Sequence, residues 1–405
     1  MSHGGSFMHG GTMSRTDAGS TATMITLTED DLDPYITHAS TRRWLTGPGL
    51  PGDSGLLTFE ELRREGLRTV ADSLGDPGPL ARELRDQLVI GALWGPGGAE
   101  ADSILLDGET GEIATTHFFH DRPDLMETGP LAPSIEMLAR FTTTTDELTG
   151  LRGQFASYEG RHGTKTAAEA SRQLLAVFES GTAGEVPPFW KAAALIRPLA
   201  LVAGPGTTSG LTLDIPARLL DQEFGQGTVA RFEEVDFPAT LTHEPTRRFL
   251  RETGLPEDAF LFHLDTDVPL PTLAEFYEDE PAEELPPRAD QLIRLGYLIE
   301  DNSLVVDGAT GEILTWSEPE ATLAPLNTDV STLAFTLWLL HREKAIDADL
   351  SGELTAEAYD QLATTMLQTL AMVDPTGVAP RGKGARTAGP HYWTEAFQDE
   401  AGGVL

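Results

Sequence analysis

The sequence predicts an α+β protein made of two tandem copies of one domain of roughly 200 residues, each a mainly antiparallel sheet flanked by helices. Three observations support this class. The chain has 405 residues, which is too long for one ordinary domain and sufficient for two. Blocks of similar sequence recur in the same order in both halves. In each half, apolar runs typical of strands precede segments with helical apolar spacing.

The two copies are identified by colinear blocks of similar sequence. Residues 37–45 align with residues 242–250 at an offset of 205 and share six of nine residues. Further blocks keep the same order: 49–51 with 254–256, 86–88 with 290–292, 106–113 with 306–313, and 188–192 with 390–394. The offsets drift by only a few residues, which indicates duplication with small changes in loop length.

Composition places the boundaries of the copies. Residues 1–23 are rich in Gly and Ser and are expected to form a disordered tail, without the basic and apolar segments of a secretory signal. The Gly/Ser/Thr-rich residues 204–210 have the composition of a linker. We therefore expect the first copy at 24–203 and the second at 208–405.

The first repeated block predicts a short capped helix. In the second copy, Thr242 can cap the helix and Gly254 can end it. His38 and His243 occupy equivalent positions beside the helix start, where they are expected to help cap it. The block contributes fold-signature residues from both copies: Thr41, Arg42 and Trp44, and Thr246, Arg247 and Phe249. A structural role is expected for its arginines.

The next repeated block predicts a β-hairpin. Apolar runs flank an Asp-Gly pair that is followed three residues later by a second Gly. The fold-signature residues of this block are Asp107, Gly108, Gly111, Asp307, Gly308 and Gly311. Because an aspartate in a tight turn usually accepts hydrogen bonds from the backbone, we expect these aspartates to serve geometry and not catalysis.

The last part of each copy is predicted to be helical. Residues 323–342 and 355–373 carry apolar side chains at three- and four-residue spacing. The most apolar stretch, residues 192–204, is interrupted by Arg197 and Pro198 and is shorter than the roughly 20 residues of a membrane span. No membrane association is expected, and a cytoplasmic location is the expectation.

Charge and composition restrict the function. The formal net charge is −36, which disfavours direct binding to nucleic acid and favours a basic partner. The formal net negative charge of residues 207–405 is twice that of residues 1–206. The chain contains no Cys, which excludes disulfides, thiolate metal sites and cysteine nucleophiles. The sequence leaves the oligomeric state open.

An acidic run in the second copy is the candidate partner-binding segment. It could steer a cationic partner, or it could be an ordinary solvated loop. Its members are Glu275, Glu278, Asp279, Glu280, Glu283 and Glu284.

Few side chains in the sequence are candidates for catalysis or metal binding. His117 and His120 form the one clustered histidine pair, and the second copy has no histidine at the corresponding place. None of the common hydrolase, kinase, metalloprotease or dinucleotide motifs occurs. The basic side chains Arg381, Lys383 and Arg386 are expected in a solvated loop. We therefore predict no catalytic residue, cofactor or metal site, with a metal-dependent hydrolase at His117 and His120 as the minor alternative.

The order of these motifs resembles the SUKH superfamily, to which Smi/Knr-like proteins belong, and within it the fourth group of bacterial immunity proteins. The first copy departs from the pattern, with Phe141–Asp146 where the second copy has Leu326–Asp329. The resemblance implies an α+β fold with a protein-binding cleft, no catalysis, and neutralisation of a polymorphic toxin, often a nuclease or a nucleic-acid deaminase. The alternative is a regulatory or scaffold protein of the Smi/Knr-like type that binds host proteins.

Overall fold

The structure of the protein is a computed structural model that describes residues 24–52, 54–75, 80–95, 100–183, 185–278, 285–299, 302–350, 356–379 and 391–401. The expected tail at 1–23 and the expected basic loop at Arg381, Lys383 and Arg386 lie outside these residues.

The first half of the described chain alternates short strands and helices and then ends in three longer helices. Its strands are β1 (Met24–Ile25), β2 (Leu50–Pro51), β3 (Leu57–Thr58), β4 (Arg68–Thr69), β5 (Leu88–Trp94), β6 (Glu100–Leu106), β7 (Ile113–Thr116) and β8 (Gly129–Ala132). Its helices are α1 (Ala39–Thr46), α2 (Glu60–Glu65), α3 (Val70–Leu74), α4 (Arg82–Arg85), α5 (Ile135–Thr149), α6 (Thr164–Gly181) and α7 (Pro188–Ile196).

The second half follows a similar order after a short hairpin and one additional helix, with differences among the short elements. Its strands are β9 (Gly204–Pro205), β10 (Leu213–Asp214), β11 (Val229–Ala230), β12 (Leu255–Pro256), β13 (Asp258–Ala259), β14 (Phe262–Leu264), β15 (Leu292–Leu298), β16 (Asn302–Asp307), β17 (Ile313–Ser317) and β18 (Thr322–Asn327). Its helices are α8 (Leu219–Phe224), α9 (Glu244–Glu252), α10 (Leu273–Phe276), α11 (Val330–Leu350), α12 (Ala356–Val373) and α13 (Tyr392–Ala401).

Each half contains one six-stranded sheet whose strands pair antiparallel. The first has the order β3-β5-β6-β7-β8, with β4 also paired to β5, and the second has the order β13-β14-β15-β16-β17-β18. Three two-stranded ribbons accompany the sheets: β1 with β2, β9 with β10, and β11 with β12. Helices follow the sheet in both halves. The predicted α+β class and the duplication are therefore confirmed.

Strand pairing corrects two details of the sequence alignment. Leu88 pairs with Leu106, whereas Ile293 pairs with Val306. The equivalent of Leu88 is thus Ile293, so this part of the repeat keeps the offset of 205 that the first block shows. The alignment of Leu88 with Leu292 was wrong by one residue because the Asp-Gln-Leu triplet matched by chance.

The ends of the last strands correct the second detail. Ile113 pairs with Ala132 in the first sheet, and Ile313 pairs with Asn327 in the second. Asn327 therefore corresponds to Ala132 and not to a residue of Phe141–Asp146, which lies inside α5. The predicted departure of the first copy at that segment was wrong, because a Thr-rich helix was compared with a strand end.

Helices cover one face of each sheet and form the two main cores. In the first half, Leu138 and Phe141 of α5, Leu174 and Phe178 of α6 and Trp190 of α7 are buried in one apolar cluster. In the second half, α11 contacts α8, α9, α12 and α13. Residues 330–340 of α11 are buried on every side of the helix, so the predicted one-sided apolar spacing is wrong there, and residues 323–327 of the predicted helix lie in β18.

The two halves share an apolar junction. Residues 204–214, which include the expected linker, form the β9–β10 hairpin, and Leu211 and Leu213 are buried in the second core. Ala192 and Ile196 of α7 belong to that same core, because α12 packs against α7. A side-chain hydrogen bond also crosses the junction, from Gln361 Nε2 to Asp102 Oδ2 at 3.0 Å.

Candidate functional site: an aromatic row on the second sheet

The fold-signature residues join α1 in the first copy and α9 in the second copy to the Asp-Gly hairpin of the same copy. The backbone amides of Thr37 and His38 donate to the Gly108 carbonyl, both at 2.9 Å. Those of Thr242 and His243 donate to the Gly308 carbonyl, at 2.7 and 2.9 Å. Because a Cβ at Gly108 would lie 2.4 Å from the Tyr35 carbonyl oxygen, only glycine permits this approach.

The aspartates of the hairpins organise the turn. Asp107 Oδ1 accepts hydrogen bonds from the amides of Glu109 and Thr110, and Asp307 Oδ1 accepts them from Ala309 and Thr310. Burial acts to raise the pKa of Asp307, and the hydrogen bonds from Thr310 and Ala309 outweigh it, so this pKa lies below its usual value. The arrangement accounts for both aspartates by backbone geometry.

The threonines and histidines of the first block contact each other beside the same turn. His38 Nδ1 lies 2.9 Å from Thr41 Oγ1, and His243 Nδ1 lies 2.8 Å from Thr246 Oγ1. The helices begin one residue after each histidine, and the histidine side chains make no capping hydrogen bond to the helix. The expected capping role of the histidines and of Thr242 is therefore wrong, because the imidazole is bound by the threonine one turn later.

The remaining signature residues close the loop before the helix and bury its apolar face. Arg42 and Arg247 each donate to a carbonyl six residues upstream, both at 3.1 Å. Trp44 Nε1 donates to the Gly49 carbonyl at 2.8 Å. Phe249, at the position of Trp44, is buried in the second core. The contacts that the two copies share thus stabilise the connection between the helix and the hairpin. A binding site specific to one copy would lie where the two copies differ.

The acidic run is only partly described. Glu275 Oε2 accepts hydrogen bonds from the amide and hydroxyl of Thr272, at 2.8 and 2.9 Å, and so belongs to a capping box at the start of α10. Glu278 is exposed to solvent. Asp279, Glu280, Glu283 and Glu284 lie outside the described residues. Of the six candidates, Glu275 is therefore engaged in local structure and Glu278 is accessible to a partner.

The histidine pair lies near the junction of the two halves. His117 Nδ1 is 3.4 Å from Asp102 Oδ1, and the other oxygen of Asp102 accepts from Gln361. His120 is exposed. Burial and the charge of Asp102 raise the pKa of Asp360, while His117 acts to lower it. Within the part of the chain that the structure describes, no three or more His, Asp or Glu side chains are placed to hold a metal ion.

A row of side chains crosses the second sheet on the face away from the main core. Directly paired residues of an antiparallel sheet project to the same face. His263 pairs with Tyr297, Tyr297 with Ser303, Ser303 with Trp316, and Trp316 with Leu323. We call these five residues the cross-sheet row. Three of the five carry aromatic rings.

The first copy has small side chains in the same row. Thr58 pairs with Ala92, Ala92 with Ser103, and Ser103 with Thr116. The equivalents of His263, Tyr297 and Trp316 are therefore Thr58, Ala92 and Thr116.

The two rows also differ in exposure. Thr58 and Ala92 are 1% and 5% exposed, whereas Tyr297 is 46% exposed and the His263 side chain 43%. Ser303 and Trp316 are buried, so the difference is confined to the His263–Tyr297 end of the row. The second copy has thus gained accessible aromatic surface at positions where the first copy is buried.

Contacts around the row hold its rings in place. The His263 and Tyr297 ring centroids are 5.0 Å apart. The guanidinium carbon of Arg294 lies 3.8 Å from the centroid of the Phe276 ring and 6.0 Å from that of Tyr297. Phe276 is 45% exposed. The chain of contacts from Phe276 to His263 therefore runs through the buried Arg294 and holds the three exposed rings together.

Arg294 is a buried residue that contacts the rings of Phe276 and Tyr297. It stands where the first copy has Val89, and it forms an ion pair with Asp265 and a hydrogen bond to Ser303 Oγ at 3.2 Å. Burial lowers the pKa of Arg294 to about 10, so the side chain keeps its charge at neutral pH. The aspartate neutralises that charge beneath the aromatic rings.

Sequence reasoning missed this surface because no single residue in it is unusual. Its signal was present in the difference between the aligned copies, where His263, Arg294 and Tyr297 replace Thr58, Val89 and Ala92. The one-residue error in aligning β5 with β15 concealed that difference.

Comparison with known families bears on both halves. A protein-family model described as SUKH-4 immunity protein matches residues 14–179 and 215–399. No curated protein and no solved structure matches the chain. No helix among the residues that the structure describes is long and apolar enough to cross a membrane.

Proposed function

Because the chain belongs to the SUKH-4 immunity protein family, we propose that it is a non-catalytic immunity protein that neutralises a toxin domain by binding it directly. The observation that carries this proposal is the match of the family model to both halves at 14–179 and 215–399. The organisation that we propose is a first copy at 24–203 and a second at 208–405, joined at 204–210. We place its action in the cytoplasm.

The proposed partner is a basic toxin domain that acts on nucleic acid, as a nuclease or a deaminase. The net charge of −36 supports this choice, because a basic toxin domain is attracted to an acidic inhibitor and associates with it faster. The same charge opposes direct contact between this protein and nucleic acid. We propose the second copy as the contact surface because residues 207–405 carry most of the acidity.

Growth rescue tests the proposal. Toxin domains encoded beside this gene would be produced from an inducible promoter in a bacterial host, with and without the full-length protein. We expect the protein to restore growth and to co-elute with the toxin domain in size-exclusion chromatography. Degraded DNA or RNA would identify a nuclease, and accumulated base transitions a deaminase. A host enzyme complex as the recovered partner, without rescue, would instead favour the regulatory or scaffold alternative.

The acidic run can be tested separately from the fold. Glu275 is left intact because it caps α10, and the other five carboxylates of the run are changed to amides: Glu278→Gln, Asp279→Asn, Glu280→Gln, Glu283→Gln and Glu284→Gln. The matched control removes five negative charges from exposed residues of the first copy: Asp30→Asn, Glu109→Gln, Glu112→Gln, Asp121→Asn and Glu127→Gln.

The association rate is the informative measurement for these variants. We expect the second-copy variant to bind the toxin domain at least about ten times more slowly at low salt, because steering depends on local charge. The control should lose much less. Equal association rates for the two variants would show that overall charge matters and that the acidic run has no special role.

A further inference from the structure

The exposed aromatic side chains of the second copy, His263, Phe276 and Tyr297, have the features of a protein contact surface. Aromatic side chains are enriched in the centres of protein interfaces, and they offer large contact area at small entropic cost. Tyr297, Phe276 and His263 are linked by ring contacts and by Arg294. In the first copy, the same positions of the row are small and buried. The accessible surface is thus specific to the second copy.

The charge around the row restricts what can occupy it. Residues 255–325, which contain the whole surface, include seventeen Asp and Glu residues and only two basic ones, Arg288 and Arg294. Arg288 is paired with Asp307, and Arg294 is buried and paired with Asp265. Asp258 contacts His263, and its side chain is directed to solvent. A cationic segment on this surface would therefore contact aromatic rings beside the exposed carboxylate of Asp258.

Arginine suits this combination better than lysine. Its planar guanidinium stacks on aromatic faces and is more weakly hydrated than an ammonium group, so less solvation is lost on contact. The same group can form two parallel hydrogen bonds with a carboxylate such as Asp258. We propose that the surface formed by Asp258, His263, Phe276 and Tyr297 binds an arginine-bearing segment of the partner protein. This inference rests on the proposed function and assigns its contact site.

The test replaces two exposed residues of the row, His263 and Tyr297, by their first-copy counterparts. The double variant His263→Thr/Tyr297→Ala introduces the amino acids that the first copy has at the equivalent positions, Thr58 and Ala92. Because both replaced side chains are exposed, we expect the fold to persist. The matched control is Tyr35→Ala, which removes a tyrosine that is similarly exposed in the first copy. Circular dichroism and thermal unfolding of the full-length proteins would verify that all three remain folded.

Two peptides of equal charge serve as defined probes. Octaarginine and octalysine would be titrated into each full-length protein at the same ionic strength. Both cations form cation–π contacts, but only the guanidinium also stacks flat on a ring and loses little hydration, so we expect an affinity for octaarginine that is roughly 5-fold higher than for octalysine. The double variant should lose this preference while its octalysine affinity changes by less than about 2-fold. The Tyr35→Ala protein should behave as the unchanged protein does.

The outcomes separate this inference from the proposed function. An absent arginine preference, or one that survives in the double variant, overturns the proposed surface. If a toxin domain is bound and growth is rescued equally by the double variant, the immunity function stands and this contact site is wrong. If no adjacent toxin domain binds at all, the proposed function fails, and the peptide titrations still decide whether the row takes arginine.

Discussion

One glycine in each copy lies directly against a histidine ring. Gly111 and Gly311 follow the Asp-Gly turn with φ of +81° and +79°. A Cβ at Gly311 would lie 2.2 Å from His243 Nδ1 and 2.8 Å from Thr246 Oγ1. The residue thus combines a left-handed backbone with a contact that excludes any side chain, which explains why both copies have glycine there.

Replacing Gly311 and a control glycine by alanine separates the cost of the left-handed backbone from the cost of the clash with His243. We expect Gly311→Ala to lower the free energy of unfolding by about 2–4 kcal/mol, because backbone strain and the clash with His243 add. Gly227→Ala is the matched control: Gly227 has φ of +89°, and no atom lies within 4 Å of the position that a Cβ would occupy there. Gly227→Ala should lower the free energy of unfolding by only about 1 kcal/mol. Urea denaturation would measure both, and equal losses would contradict the importance of the histidine contact.

At the scale of elements, the last helix of each copy is tied to the end of the last strand of its sheet by a tryptophan. Trp190 Nε1 donates to the Leu131 carbonyl at 2.8 Å, and Trp393 Nε1 donates to Asn327 Oδ1 at 2.9 Å. The first copy has Ala132 at the position of Asn327, so its tryptophan uses a backbone acceptor. The second copy replaces that bond by a buried side-chain network.

This network makes Asn327 the sensitive point of the second sheet. Its Nδ2 donates to Asp374 Oδ2 at 2.9 Å and to Thr336 Oγ1 at 3.0 Å, and both Asn327 and Asp374 are fully buried. We expect Asn327→Ala to destabilise the protein by roughly 2–4 kcal/mol, because Trp393 and Asp374 lose a buried partner.

A second asparagine provides the comparison for that variant. Asn302 uses its side chain in a hydrogen bond to the Ile299 carbonyl at the surface. Asn302→Ala should therefore cost less than about 1 kcal/mol. Urea midpoints with unchanged slopes would measure both variants. A similar loss for the two would mean that the network contributes no more than an exposed hydrogen bond.

At the scale of the whole molecule, the junction couples the two copies. Side chains of α7 complete the second core, and Gln361 of α12 is bonded to Asp102 of β6. Asp102 and Asp360 bring two carboxylates from different halves near His117. Burial of Asp360, together with its repulsion by Asp102, raises the Asp360 pKa and makes the junction sensitive to pH.

The raised pKa of Asp360 fixes the direction of that sensitivity. A carboxyl group that holds its proton more tightly in the folded state lowers stability as pH rises through its unfolded pKa and then its folded pKa. The penalty is therefore larger at pH 7 than at pH 3. We therefore expect Asp360→Asn to raise Tm at pH 7 and to leave it nearly unchanged at pH 3.

Thermal unfolding of the full-length protein from pH 3 to pH 7 checks this expectation. Asp267→Asn removes an equal charge from an exposed residue of the segment after β14 and serves as the control for net charge. A gain in Tm that is the same for both variants would mean that overall charge, and not the junction, sets the pH dependence.

The sequence by itself determined the fold class, the duplication and the family. These follow from short local patterns, such as the Asp-Gly pair of residues 107–108 and 307–308, whose preference for a turn is set by the residue types themselves. Such patterns recur in the same order in both copies. They can therefore be read from one chain.

Only the tertiary structure decided which surface the copies do not share. Pairing of β5 with β6 and of β15 with β16 fixed the true equivalence of the copies, and with it the substitution of Ala92 by Tyr297. The sequence could not supply this because a shift of one residue in a strand moves every side chain to the other face of the sheet. Register, burial and the junction between the halves arise from contacts between distant segments, and these exist only in the folded chain.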